Sequence, residues 1–220
     1  MREVMDLIHK RHSVRRYYDQ PIAEEIRRQL DAYVEKLNEE VSLHIQIIYD
    51  EPECFNTRLA HYGSFENCTN YIAMIGTPAA DLEERCGWYG ELLVLEAQRL
   101  GLNTCWAALT HGKSKAILNP GEKEVILIAL GYGKTQGDTR KSKRPEEVSD
   151  LSNDSPAWYR NGISAALLAP TAVNQQKFSF TLDGNRVKAR TKLTFYGRMD
   201  LGIAKYHFEL GAGRENFVWA

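Results

Sequence analysis

The sequence predicts an α+β or α/β layered protein. Three observations predict it. Segments with apolar residues at helical spacing alternate along the chain with segments at strand spacing. A polar, charged stretch, Lys134–Pro156, is almost free of apolar residues and separates two patterned regions. A pattern near the end of the first region returns at the end of the second.

The elements follow in order. The segment to about Lys10 reads as a short helix with Val4, Leu7 and Ile8 on one side. Pro21–Glu40 is a clearer helix: Ile22, Ile26, Leu30, Tyr33 and Leu37 recur at helical spacing, and Pro21 suits a helix start. Ser42–Tyr49 sets Leu43, Ile45 and Ile47 against His44, Gln46 and Ile48, a strand pattern. The apolar run Tyr71–Gly76 reads as a buried strand. Trp88–Leu102 reads as a deeply buried helix, and Thr104–Leu109 and Glu124–Gly133 as strands. Past the polar arm come a helix (Trp158–Leu168) and a strand with Phe178, Phe180 and Leu182 alternating. A turn at Asp183-Gly184-Asn185, a second strand (about Val187–Phe195) and a helix (Met199–Ala212) complete the chain.

The recurring pattern aligns Leu95–Ala107 with Phe208–Ala220 without gaps. Glu96 meets Glu209, Asn103 meets Asn216, Trp106 meets Trp219 and Ala107 meets Ala220. The expected organisation is a first half (1–135), a polar and basic linker arm (136–156) and a related second half (157–220).

Composition narrows the function classes. The 220 residues are enough to bury a real core, and 43% apolar with 26% charged residues is ordinary for a globular chain. With 28 Lys+Arg against 29 Asp+Glu, the net charge of −1 argues against a dedicated nucleic-acid binder. Met1–Arg11 holds no apolar core of signal-peptide length, and no run approaches the roughly 20 apolar residues of a membrane helix. The expectation is a cytoplasmic protein that contacts no membrane. Cys54, Cys68, Cys86 and Cys105 lack metal-type spacing and read as reduced thiols. His9, His12, His44, His61, His111 and His207 form no metal motif, and His207 reads as a core or pocket residue of an apolar helix.

Three stretches carry candidate chemistry. Lys10–Ile22 (KRHSVRRYYDQPI) gathers Lys10, Arg11, Arg15 and Arg16 around His12 and Ser13. Guanidinium forks and a serine hydroxyl are what a cofactor phosphate needs. A solvated basic loop also fits the charge alone. Arg140–Pro145 (RKSKRP) is a second basic island open to the same two readings. In Leu168–Phe180 (LAPTAVNQQKFSF), Pro170 ends or kinks a helix. Thr171, Asn174, Gln175 and Gln176 then supply neutral donors and acceptors, which suit a heteroaromatic ring with carbonyls and ring nitrogens. A capped helix end followed by a polar turn fits too.

Together these stretches resemble the FMN-dependent nitroreductase family. RHSVRRYYDQPI is similar to its R-x-S-x-R-x-[FY] signature, and LAPTAVNQQKFSF to its A-P-S-x-x-N-x-Q-P-W-x-F motif. LEAQRLGLNTCW resembles the central helix and following strand, and EVILIALGYGK with KSKRPEE the strand, turn and basic tail. The order differs from an ordinary member: the second motif follows the basic tail instead of the second helix. The resemblance is therefore to the family's single-chain branch, and it implies an α+β fold of mixed β-sheets flanked by helices, two halves fused as a pseudo-dimer with one complete flavin site.

The resemblance implies a role for each position. Arg11, His12, Ser13 and Arg15 would hold the FMN phosphate and ribityl chain, with Lys141 and Lys143 adding cations. Pro170, Thr171, Asn174 and Gln175 would line the isoalloxazine, and the backbone near Ala107, Ala108 and Leu109 would approach the pyrimidine edge. Thr171 stands for the usual Ser, and Gln176-Lys177 replaces the usual Pro-Trp. Asn56 and Arg58 are the candidates for an Asn/Lys pair. The implied activity is ping-pong transfer of hydride from NADH or NADPH, through FMN, to a small-molecule acceptor such as a nitroaromatic or quinone. Flavin supplies that chemistry, so no catalytic side chain and no metal are expected. Fusion allows a monomer and leaves a homodimer open. A flavin-binding protein without turnover, and a regulatory or scaffolding domain binding an acidic partner, are the alternatives.

Overall fold

A computed structural model describes residues 2–220, and its contacts divide the chain into two compact units. The first comprises Arg11–Leu82 and Leu93–Asp138. The second comprises the segment ending at Lys10, Glu83–Leu92 and Thr139–Ala220.

The first unit is built on an antiparallel sheet in the order β1-β2-β4-β3. Every residue of β2 (Asn70–Gly76) is buried, as its unbroken apolar run requires. It pairs with β4 (Lys123–Gly131) from Asn70↔Leu130 to Gly76↔Lys123. On the other side of β4 lies β3 (Asn103–Ala107), leaving β3 at the sheet edge. Strand β1 is only Gln46–Ile48, shorter than the alternation predicts. Asn38 explains the late start of the strand: its amide donates to Ile45 O and accepts from Ile45 N, both at 2.8 Å, so that residue's backbone groups are satisfied by a side chain.

Helix α2 (Glu24–Glu40) buries Leu30, Val34 and Leu37. It begins after Pro21, not at it, because Ala23 is still extended. A five-residue helix, α3 (Arg58–Tyr62), is capped by Thr57, whose hydroxyl accepts from Ala60 N at 3.2 Å. The core gathers Tyr17, Phe55, Phe65, Tyr71 and Leu127 with the thiols of Cys54, Cys68 and Cys105.

Helix α4 (Leu82–Arg99) starts six residues before the predicted Trp88 and contributes residues to both units. The second unit holds α1 (Arg2–Lys10), α5 (Ala157–Ala166), α6 (Gly197–Ala212) and a three-stranded sheet. Strands β5 (Phe178–Asp183) and β6 (Arg186–Thr191) form a hairpin; β6 also pairs in parallel with β7 (Val218–Trp219). Gly184, at φ +62°, supplies the left-handed residue that the two-residue turn needs. Phe180 stacks on Phe208 at 4.9 Å, and Tyr159, Phe217 and Trp219 close around Phe208.

Strand β6 stops at Thr191, short of the expected Phe195. Residues 192–196 form a loop with Leu193 and Phe195 exposed, and Tyr196 turns left-handed (φ 55°) into α6. The C-terminal part of the polar arm is structured. Pro145–Glu147 is a 3-10 turn, Val148 is buried, and Phe180 N donates to Val148 O at 2.9 Å. Both repeated stretches run from a helix into a strand with a tryptophan, α4 to β3 and α6 to β7. Their asparagines do different work: Asn103 accepts from Gly133 N, whereas Asn216 donates to Ala212 O.

Candidate functional site

In the first unit the basic stretch is an extended segment pegged along the edge strand. Val14 N donates to Thr104 O at 3.0 Å, and Ser13 bridges Thr104 in parallel register. Tyr17 is buried and its hydroxyl donates to Val14 O at 2.5 Å. Val14 and Tyr17 are buried, and Arg15 and Arg16 lie exposed between them. Arg11 turns the other way and is 2% exposed.

Arg11, Ser13 and Arg15 all bear on the thiol of Cys105 in β3, Ser13 through a hydrogen bond and the two arginines through their charge. Burial pushes the Cys105 thiol up; the Arg15 charge, a hydrogen bond with Ser13 and the Arg11 charge act against that shift. His12 is half-buried under the turn that follows β4. Gly137 is left-handed there (φ +78°), and a Cβ on it would sit 2.6 Å from the Cβ of His12. Only glycine fits that approach. Ala108 and Leu109 follow directly after β3, the first half-buried and the second exposed. Asn56 and Arg58 are exposed, just before and at the start of α3.

In the second unit Pro170 is buried after α5, and Thr171–Gln176 forms a tight turn. Val173 (φ 46°), Asn174 (φ 54°) and Gln176 (φ 43°) are all left-handed, and for a β-branched valine this is a strained state. Asp200, in the first turn of α6, holds the turn from below: it accepts from Ala172 N at 2.9 Å and from Gln175 Nε2 at 2.6 Å. Gln175 Nε2 also donates to Phe195 O at 3.1 Å, and its Oε1 accepts from Thr194 at 2.8 Å. Burial pushes the Asp200 carboxyl up to about 6, against the two donors that favour its charged form.

Several residues expected to face a ring or a phosphate therefore hold the turn itself. Thr171 Oγ1 accepts from Gln176 N at 3.1 Å, and Asn174 Nδ2 donates to Lys141 O at 2.7 Å. Lys143 Nζ donates to Gln176 O at 2.7 Å, while Lys141 is exposed. Arg140 donates to the carbonyls of Leu168 and Ala169. Gln176 is buried, with its amide bonded to Lys143 N, Leu167 O and Ser142 Oγ. Counted residue by residue, A-P-S-x-x-N-x-Q-P-W falls on Ala169–Phe178. Gln176 thus keeps the motif's glutamine, and the departure is Lys177-Phe178 for Pro-Trp, one residue later than first read. Asp200 and Cys105 were not foreseen. A lone Asp in a first helical turn looks like an ordinary N-terminal charge, and nothing in sequence marks partners 25 to 28 residues upstream.

The family profile described as "Putative TM nitroreductase" matches residues 3–212. The chain belongs to this nitroreductase family. It is therefore an oxidoreductase, as the motif resemblance implied. A "putative nitroreductase" of Thermotoga maritima shares the fold with a TM-score of 0.69 and 22% identity, over 96% of this chain and 84% of that one. A "putative nitroreductase" of Desulfovibrio desulfuricans, solved in complex with FMN, gives 0.53 and 21%, over 70% of this chain and 98% of that one. A "putative NADH oxidase" of Clostridium acetobutylicum gives 0.51 and 15%, over 69% and 100%. No curated protein matches the chain. The α+β architecture with helix-flanked sheets agrees with these relatives. Among the described residues no helix is long and apolar enough to cross a membrane, and no group of side chains could hold a metal ion.

Proposed function

We propose that this nitroreductase-family chain binds FMN and passes electrons from NADH or NADPH to a small acceptor such as a nitroaromatic or a quinone. The carrying observation is the extended segment pegged through Val14 and Tyr17, which holds Arg15 exposed on a fixed backbone beside the half-buried Ser13. The neighbour solved with FMN supports the choice of cofactor.

The residues fit a flavin mononucleotide. Arg15 is an exposed guanidinium held on a fixed backbone, suited to a phosphate dianion. Ser13 supplies a hydroxyl beside it, and Lys141 is the exposed cation of the basic island. The Thr171–Gln175 turn would meet the ring with its backbone, since its polar side chains are engaged with Gln176 N, Lys141 O and Asp200. When bound, FMN supplies two-electron redox chemistry, and the protein's part is to bind, orient and keep a face open. The repeat of Leu95–Ala107 in Phe208–Ala220 supports two related halves fused in one chain, with one FMN for each chain.

The test is direct. The purified chain should take up FMN and show flavin absorbance that bleaches with NADH or NADPH. Bound flavin without bleaching would leave a binding protein. A colourless chain that takes up no FMN would contradict both.

A further inference from the structure

We propose that Asp200 is a positioning residue: its carboxylate latches the Thr171–Gln176 turn in the shape that receives the flavin ring. The ring part rests on the FMN reading above; the latch stands on geometry alone.

Both carboxylate oxygens are acceptors. Oδ1 takes the Ala172 backbone N–H and Oδ2 takes the Gln175 amide. The amide cannot turn over to suit a protonated Asp200. Its Nε2 also faces the Phe195 carbonyl, an acceptor, and its Oε1 faces the Thr194 hydroxyl. Turning it would set two oxygens against each other at Phe195. A proton on either oxygen of Asp200 would therefore displace one of the two donors.

The turn also needs the latch. Three of its residues are held left-handed, and such strain persists only where surrounding contacts over-determine it. Asp200 is 4% exposed, at the foot of the turn. Charged groups on the elements around it are Glu83, Glu84 and Arg85 of α4, Lys177 and Lys192 flanking the hairpin, and Arg198 and Lys205 of α6. Tyr196 is the nearby phenol. None ranks among the groups that set the ionisation of Asp200, which are its burial and the two turn donors. Burial moves the carboxyl into a range a modest acid shift can reach, so the turn should loosen below about pH 6.

The experiment is run on the full chain. In the flavin-free protein, the Ala172 amide and the Gln175 side-chain amide are followed by 15N NMR from pH 7.5 to 5. Both should shift together with one midpoint near 6, and D200N should lack the step. FMN affinity is then titrated by fluorescence quenching. D200N should bind about tenfold more weakly at pH 7.5, the scale of one lost hydrogen bond to a charged group. The wild type should lose a similar factor on going to pH 5, beyond the change that the phosphate's own protonation causes in D200N. Q175A keeps the carboxylate, should weaken FMN binding as well, and guards against a folding defect in D200N. Amides that do not titrate overturn the latch. Unchanged FMN affinity in both variants, with parallel pH profiles, overturns the positioning role. A wild type that takes up no FMN at any pH overturns the flavin reading, and the amide titration then decides the latch by itself.

Discussion

His207 Nε2 lies 2.9 Å from Glu91 Oε1, and neither side chain is exposed. His207 Nδ1 faces the Ala165 carbonyl at 3.1 Å, so that nitrogen carries a proton. One further proton lies between Nε2 and the carboxyl, which keeps the pair neutral overall in either arrangement. Removing one partner should then be costly and replacing it conservatively should not. E91A should lose about 3 kcal/mol in urea unfolding, whereas E91Q, which can donate to a neutral His207, should lose about 1 kcal/mol or less. Equal losses would show that the pair is held by packing instead.

The close approach of α4 to α6 at their glycines should be intolerant of a methyl group. A Cβ on Gly87 would run into the Met199 carbonyl, and one on Gly202 into the Glu84 carbonyl. Backbone cannot rotate away as a side chain can. G87A and G202A should each destabilise by about 2 kcal/mol or more, read as a lowered urea midpoint with unchanged m-value.

Asp200 should leave a signature in stability as well as in binding. Its carboxyl is raised in the folded state, so the folded chain binds more protons than the unfolded chain between about pH 4 and 6. The sign follows: wild-type stability should fall across that window as pH rises, by up to about 3 kcal/mol relative to D200N. A difference that stays flat from pH 4 to 7 would contradict it.

The four cysteines should be silent in the native chain. All are buried and none is in a disulfide, and burial pushes the Cys54 thiol up to about 12 and those of Cys68 and Cys105 upward too. A thiol-reactive dye should find none over minutes at pH 8 and all four after unfolding.

Long, strongly patterned elements were legible in the sequence. The apolar run of β2, the hairpin turn at Gly184 and the helical spacing of α2 led to the right elements because burial pattern and backbone preference agreed there. Misreadings came where a single side chain intervened. Asn38 cut β1 short, and three charged residues (Glu83, Glu84, Arg85) hid the first turn of α4. A five-residue helix such as α3 has no period to detect. At the candidate site, residue types did not show which side chains are engaged by the fold itself. Gln175, Asn174 and Lys143 looked like groups for a ligand, and their partners, Asp200, Lys141 and Gln176, are visible only once the chain is folded.

The most direct test of the account is a flavin titration of the purified chain, followed by anaerobic addition of NADH or NADPH. The account predicts saturation at one FMN per chain and loss of the flavin band on reduction, with R15A needing about tenfold more FMN to saturate. A chain that stays colourless in excess FMN would contradict it.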